Sequence, residues 1–168
     1  NERIISNFEN YKVNLQIDSK PYCLQLYDAD SSEDKKNERQ QIYHQADVFI
    51  VCFSLVSPPS LENVTNIWLP EINQFAPNKP FILCGVKSVL RDSYNDRVDE
   101  FEKNGWVPVP TEKGETVKTR VGAKIYIECG PKNDLNVKEV FESTIKVYQE
   151  SKESENNDAS DNACCQIC

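Results

Sequence analysis

Hydrophobic and polar positions alternate twice near the start of this chain. Val13, Leu15 and Ile17 share one face of residues 11–17, and Tyr22, Leu24 and Leu26 alternate again after the turn-forming run Asp18-Ser19-Lys20-Pro21. A period of two on both sides of a turn predicts an antiparallel hairpin. Residues 32–45 are charged and polar with only Ile42 and Tyr43 to bury, which predicts a mobile loop or a weakly anchored helix. Residues 48–53 form a continuous apolar run, as a central strand covered on both faces requires. Leu61, Val64, Trp68, Ile72 and Phe75 then recur at spacings of three and four, one helical stripe that Pro70 is predicted to bend. Residues 81–84 and 124–129 supply two more buried strands. Between them, residues 111–121 read as a helix capped by Thr111 and stopped at Gly122. Asn136 with Glu139 resembles a capping box opening a last helix, whose buried side is Val137, Val140, Phe141, Ile145 and Tyr148. Strands alternating with helices predict an α/β fold, a doubly wound and mostly parallel sheet carrying an antiparallel hairpin.

Composition narrows the picture. With 168 residues, 39% of them hydrophobic, the chain can build one core, and the domain is expected over residues 1–150. Residues 151–168 hold too little apolar surface to offset ordering entropy and are expected to form a disordered tail. A formal net charge of −8 excludes a nucleic-acid binder, whose affinity starts from clustered Lys and Arg. There is no run of eighteen apolar residues and no signal-peptide pattern, so the body is expected in the cytosol. The absence of Met, at Asn1 and throughout, leads to the expectation of a segment upstream.

Of seven cysteines, Cys23, Cys52, Cys84 and Cys129 lie in apolar or strand-like runs, where a thiol behaves as a small buried hydrophobe. Cys164, Cys165 and Cys168 crowd the last five positions. Cys165-Gln166-Ile167-Cys168 fits two chemistries. One is a redox or metal CxxC pair, for which no second Cys or His pair is spaced to complete a site, His44 being remote. The other is a C-terminal prenylation signal, with a thiol four from the end and an aliphatic Ile.

Several blocks resemble one family. Phe8-Glu9-Asn10-Tyr11 precedes the hairpin and Leu26-Tyr27-Asp28 closes it. Further on come Cys52-Phe53-Ser54, then Ser57-Pro58-Pro59-Ser60-Leu61-Glu62-Asn63-Val64, then Trp68-Leu69-Pro70-Glu71. In that order, with the C-terminal motif, they resemble Rho-family small GTPases. Even the polar stretch 92–105 looks like that family's helical insert. The resemblance implies a small GTPase-like P-loop fold that lacks, in this chain, its first strand, phosphate loop and first helix. It also implies GTP or GDP and Mg²⁺ as ligands, and GTP hydrolysis as the family's activity.

Carried over residue by residue, the resemblance assigns Ser6 to the switch I hydroxyl that meets Mg²⁺ and the γ-phosphate, and Asp28 to the carboxylate that reaches Mg²⁺ through water. An ordinary loop serine and a strand-end carboxylate are the plain alternatives. Ser31 stands where the family has Gly, and Ser32 where it has the Gln that orients the attacking water, so no catalytic residue is expected at Ser32. Lys87 keeps the lysine whose stem packs along guanine, but Val86 and Val89 replace the Asn and the Asp of that loop. Losing two bonds to the base costs about 3 kcal/mol, over a hundredfold in affinity. Cys129-Gly130-Pro131-Lys132 stands for Cys-Ser-Ala-Lys, with Lys132 kept for the nucleotide and Pro131 lacking an N–H.

Phe8, Glu9, Asn10 and Tyr11 are implied to face effector and regulator proteins, although Phe8 and Tyr11 also fit simple packing onto the hairpin. Lys35, Lys36, Glu38 and Gln41 depart from the family's more apolar docking strip. Cys165 is implied to carry a prenyl chain, and Cys164 a palmitoyl chain as the second signal that stable anchoring requires. The expectation is a Rho-like signalling protein on the cytoplasmic face of a membrane and partly in the cytosol, acting in cytoskeletal regulation with weak or no GTP hydrolysis. A nucleotide-free pseudo-GTPase, working as a membrane-tethered binding module, is the alternative.

Overall fold

A computed structural model describes residues 10–17, 20–130, 136–155 and 165–167. The first two strands, β1 (Asn10–Ile17) and β2 (Lys20–Tyr27), pair antiparallel from Asn10↔Tyr27 to Ile17↔Lys20. Lys20 and Pro21, expected in the turn, already belong to β2. After a short 3₁₀ turn at Glu33–Lys35 comes α1 (Lys36–Gln45), leading into β3 (Phe49–Ser54). The helical stretch 58–75 consists of α2 (Pro58–Asn63), a π turn (Val64–Trp68) and α3 (Leu69–Phe75). The expected disturbance at Pro70 thus takes the form of a widened turn ahead of it, since Pro has no N–H for the preceding turn.

The chain continues through β4 (Phe81–Val86), α4 (Ser88–Asp92), α5 (Val98–Asn104), α6 (Thr111–Val121), β5 (Tyr126–Cys129), α7 (Val137–Glu155) and β6 (Cys165–Ile167). Helical segments thus cover the polar stretch expected to be an insert. The parallel sheet runs β3-β4-β5, and a second sheet runs β1-β2-β6. Alternation along β3 and β4 sorts the core onto two faces. Phe49, Val51, Phe53 and Leu83 pack with Leu61, Val64, Ile72 and Val117, from the helical stretch and α6. Val48, Ile82 and Cys84 pack with Ile17, Leu24, Val140, Ile145 and Ile167, from the hairpin, α7 and β6. Both faces are covered, as in a doubly wound sheet.

Local details correct several expectations. Pro110, in extended conformation, precedes α6, so Thr111 is its first residue and not its cap; Gly122, at φ 76°, ends it as expected. Gly114 is required by close approach: a Cβ there would lie 2.2 Å from Cζ of Tyr126. Asn136 has φ 58°, not the extended backbone of a capping box, and its side-chain amide donates to the Glu128 carbonyl at 2.8 Å. Helix α7 continues to Glu155 and β6 forms at 165–167, both inside the stretch expected to be disordered tail. Residues 32–45 are not a weakly held segment, because Arg39 of α1 is 2% exposed and bonded to Glu71 of α3.

Candidate functional site at the carboxyl ends of the strands

Strands β2, β3, β4 and β5 all run in one direction, so their carboxyl ends share one edge, where open α/β sheets hold ligands. A cavity of about 840 Å³ lies there. Each strand delivers a residue to that edge: β2 leads to Asp28, β3 ends at Ser54, β4 leads to Lys87, and Cys129 closes β5. Asp28, Ser31, Ser54, Lys87 and Cys129 all line the cavity, which the apolar side chains of β3 and α7 close from below.

Lys87 is exposed and left-handed, with φ 68° and ψ 33°, immediately before α4. For a residue with a side chain that backbone costs on the order of 1 kcal/mol, and it is imposed here by the sharp exit from β4. The following turn meets the end of β5. A Cβ on Gly130 would lie 2.8 Å from Ser88 Oγ and 3.0 Å from Val89 Cγ2, so only glycine lets these loops touch. Ser88 Oγ is buried and has no hydrogen-bond partner among the described residues. Behind the turn, Arg91 Nη1 donates to Glu128 Oε1 at 2.7 Å, and Tyr126 donates its hydroxyl proton to the same oxygen at 2.6 Å. Burial opposes the Glu128 charge, but bonds from Arg91, Tyr126 and Thr111 overcome it and hold the carboxyl below its ordinary range. Burial first, then Glu128, pushes the Tyr126 hydroxyl upward, so it stays a donor.

The loop after β2 is held by Arg39 and by its own Asp30. Arg39 Nη1 donates to the carbonyls of Asp30 at 2.8 Å and Ser32 at 2.5 Å, and Asp30 Oδ1 accepts from the Ser32 N–H at 2.9 Å. That backbone bond is the main cause of the lowered Asp30 acidity range. Arg39 is fixed in turn by Nε and Nη2 bonds to the Glu71 carboxylate at 3.0 and 3.2 Å, and by the Trp68 ring 5.5 Å beneath its guanidinium. Nothing in the periodicity of α1 marks Arg39 as buried; an acid–base pair with Glu71 across two helices was the only signal available.

Three thiols line the cavity wall. Cys84 and Cys129 lie with sulfurs 3.5 Å apart, and Cys52 stands beside Cys84 in the β3–β4 register. Cys52, expected to be buried, is exposed to the cavity. Its bond with Cys84 lowers its ionisation range, while the same bond and burial raise that of Cys84.

Of the residues singled out in the sequence, Asp28 and Lys87 meet at this cavity, and Tyr11 lies on its rim, 53% exposed and so not packed away onto the hairpin. Ser32 does not line it. Asn10 and Cys165 are described by backbone only, in β1 and β6. Ser6, Phe8, Glu9, Lys132 and Cys164 lie outside the described residues. Lys35 and Lys36 pair on the surface with Glu38 at 3.1 Å and Glu33 at 3.5 Å.

A doubly wound sheet with a ligand cavity at its carboxyl edge, a carboxylate after the hairpin and a lysine after the middle strand define a domain of the small GTPase class. The model of the Ras family matches residues 2–150, and the chain belongs to that family. Ras-family proteins generally bind GTP or GDP with Mg²⁺ and act through effector and regulator proteins.

The described residues fit such a nucleotide poorly. Arg39 and Lys87 are the only basic residues among the described residues lining the cavity, and Arg39 is committed to Glu71 and the loop carbonyls. No described backbone loop forms a glycine-rich phosphate cradle. Asp28 is the only carboxylate among the described lining residues, and no described cluster of three His, Cys, Asp or Glu is placed to hold a metal ion. Val89, in the turn after Lys87, does not line the cavity, and one of its methyls packs against Gly130.

Proposed function

We propose that this chain is a Rho-type member of the Ras family that presents its switch I hairpin to protein partners at a membrane, with GTP turnover weak or absent. The observation that carries this reading is the cavity itself. Asp28 and Lys87 line its wall together with Ser31 and Val86, which stand, by the family resemblance, where nucleotide chemistry needs Gly and Asn. The exposed Tyr11 and Val13 of β1 support a partner-facing hairpin. The helices over residues 88–104 and the Ser57-to-Val64 block support the Rho-type assignment. Cys165, with Cys164 as a second acyl site, is the proposed lipid attachment, placing the protein on the cytoplasmic face.

A nucleotide-free pseudo-GTPase is the second reading, favoured by the core-anchored Arg39 that bonds the carbonyls of loop 30–32. The test is guanine-nucleotide binding, measured by fluorescent-nucleotide titration, before and after Val86→Asn with Val89→Asp. Restoring two bonds to the base should tighten binding by about a hundredfold. No gain in a folded double variant would refute the account of that loop. No detectable binding by either protein, with native protein carrying no nucleotide, would establish the second reading.

A further inference from the structure

Six large hydrophobic residues are exposed among those described, and three of them, Tyr94, Val98 and Val107, fall within residues 94–107. Single exposed apolar residues are ordinary, whereas a cluster marks a surface that something covers. Two packing devices hold the cluster in place. Phe101 of α5 is 1% exposed, and the rings of Tyr94 and Trp106 meet it edge to face at 5.2 and 5.6 Å, so a half-exposed aromatic layer lies over one buried ring. The next segment is pinned to the loop after β3, where the Val107 N–H donates to the Val56 carbonyl at 3.1 Å and the Val109 N–H to that of Leu55 at 2.9 Å. Alternation then turns Val109 inward and Val107 outward. None of these residues lines the cavity, so this surface is separate from the site at the carboxyl edge.

The charge around the cluster has one prevailing sign. Residues 92–103 hold five carboxylates, Asp92, Asp96, Asp99, Glu100 and Glu102, against Arg97 and Lys103. Arg97 is taken up by Glu100 at 2.7 Å, and Asp92 by Arg91 at 2.8 Å. Asp96, Asp99 and Glu102 are exposed and have no ion pair among the described residues.

We propose that this surface docks a cationic amphipathic segment of a partner protein, with apolar side chains on Tyr94, Val98 and Val107 and Lys or Arg against Asp96, Asp99 and Glu102. Charge selects the occupant. A second copy joined through the same patch would set these carboxylates against their own kind, since a two-fold interface pairs a surface with itself. An anionic lipid surface is repelled for the same reason. Lys and Arg gain both the carboxylates and the aromatic rings beside them. The surface needs neither nucleotide nor lipid, and so extends beyond the partner-facing hairpin.

Fluorescence anisotropy with the full chain tests this, using a labelled helical peptide about five turns long with Leu on one face and Lys on the other. Asp96→Asn, Asp99→Asn and Glu102→Gln together should weaken binding by about tenfold. Glu139→Gln, Glu150→Gln and Glu153→Gln, at exposed positions of α7, give the same net charge and should change it by less than about twofold. Val98→Ser with Val107→Ser should cost about tenfold as well. The peptide should slow hydrogen exchange at residues 94–107 and leave residues 10–17 unchanged. Equal weakening by the two neutralised sets overturns the surface, because net charge alone then holds the peptide. Equal affinity for a Leu and Glu peptide overturns the charge selection, and absence of saturable binding overturns the whole proposal. Protection at 10–17 in place of 94–107 assigns the docking to the hairpin and overturns it too. Self-association that protects 94–107 and is abolished by Val98→Ser with Val107→Ser gives the surface to a second copy, again against the proposal.

Discussion

Replacing Arg39 by Leu tests whether a charged pair sunk between two helices holds this fold together. Arg39 and Glu71 are 2% and 8% exposed, and their two bonds of 3.0 and 3.2 Å form a bidentate pair. Removing the guanidinium leaves a buried carboxylate with no donor, which typically costs about 3–5 kcal/mol. Loss of the Trp68 contact adds about 0.5–1 kcal/mol, and the better packing of Leu returns a similar amount. A net loss of about 4 kcal/mol is a large share of the roughly 5–15 kcal/mol that domains possess. It lowers Tm by roughly 10 °C for a chain of this length. Adding Glu71→Leu removes the stranded charge, so the double variant should return to within about 1 kcal/mol of the parent. Urea unfolding followed by tryptophan emission reads this well, because Trp68 lies under the guanidinium. A single variant that loses less than about 1 kcal/mol would refute the reasoning, since the pair would then not be dry. A double variant as unstable as the single would refute it differently, by showing that packing and not charge was lost.

Two other predictions concern the helices around the cavity. The Glu128 carboxyl is held below its ordinary value of 4.5, so its stabilising contribution is full above 4.5 and is lost as pH falls through the lowered value. Glu128→Gln should therefore flatten stability against pH below 4.5 in acid titration by circular dichroism, and an unchanged acid limb would show that Arg91 and Glu128 are not coupled. Gly114→Ala should destabilise α6 despite a helix-propensity gain of about 1 kcal/mol, because the new Cβ would sit 2.2 Å from the Tyr126 ring, whose hydroxyl is tied to Glu128. Tyr126→Leu in the same chain should relieve part of the loss, and a higher urea midpoint for Gly114→Ala alone would contradict the close approach.

Periodicity carried most of this architecture. The alternation around Leu24 and Leu26, the apolar run into β3 and the stripe from Leu61 to Phe75 each reflect a local repeat, and each became the expected element. What remained hidden was non-local. Arg39 is a charged residue in a polar helix, and its burial depends on Glu71 and Trp68 arriving from another helix. Strand β6 holds one apolar residue, and its pairing with β2 spans most of the chain, so no window of sequence announces it. Asp28 and Lys87, which line the cavity, could be singled out in the sequence through the family resemblance, whereas the contact of Gly130 with Val89 requires knowing that β4 and β5 are neighbours.

The loop after β2 joins these points into one argument about switching. A nucleotide switch needs a segment with two arrangements, one of them favoured by contacts to the ligand. In this chain residues 30–32 are fixed by Arg39, a side chain anchored through Glu71 in the core, and by an internal Asp30 bond. Ser31 adds to the restraint, because a side chain limits the backbone geometries that glycine would reach. Guanine nucleotide should consequently leave hydrogen exchange at residues 29–34 unchanged, whereas Arg39→Leu with Glu71→Leu, which keeps the core and releases the loop, should raise it by about tenfold, the equivalent of 1.4 kcal/mol of lost local protection. Strong protection of that loop appearing only with GTP would mean that the phosphate and not Arg39 sets its position, and the reading of a fixed partner surface would fail.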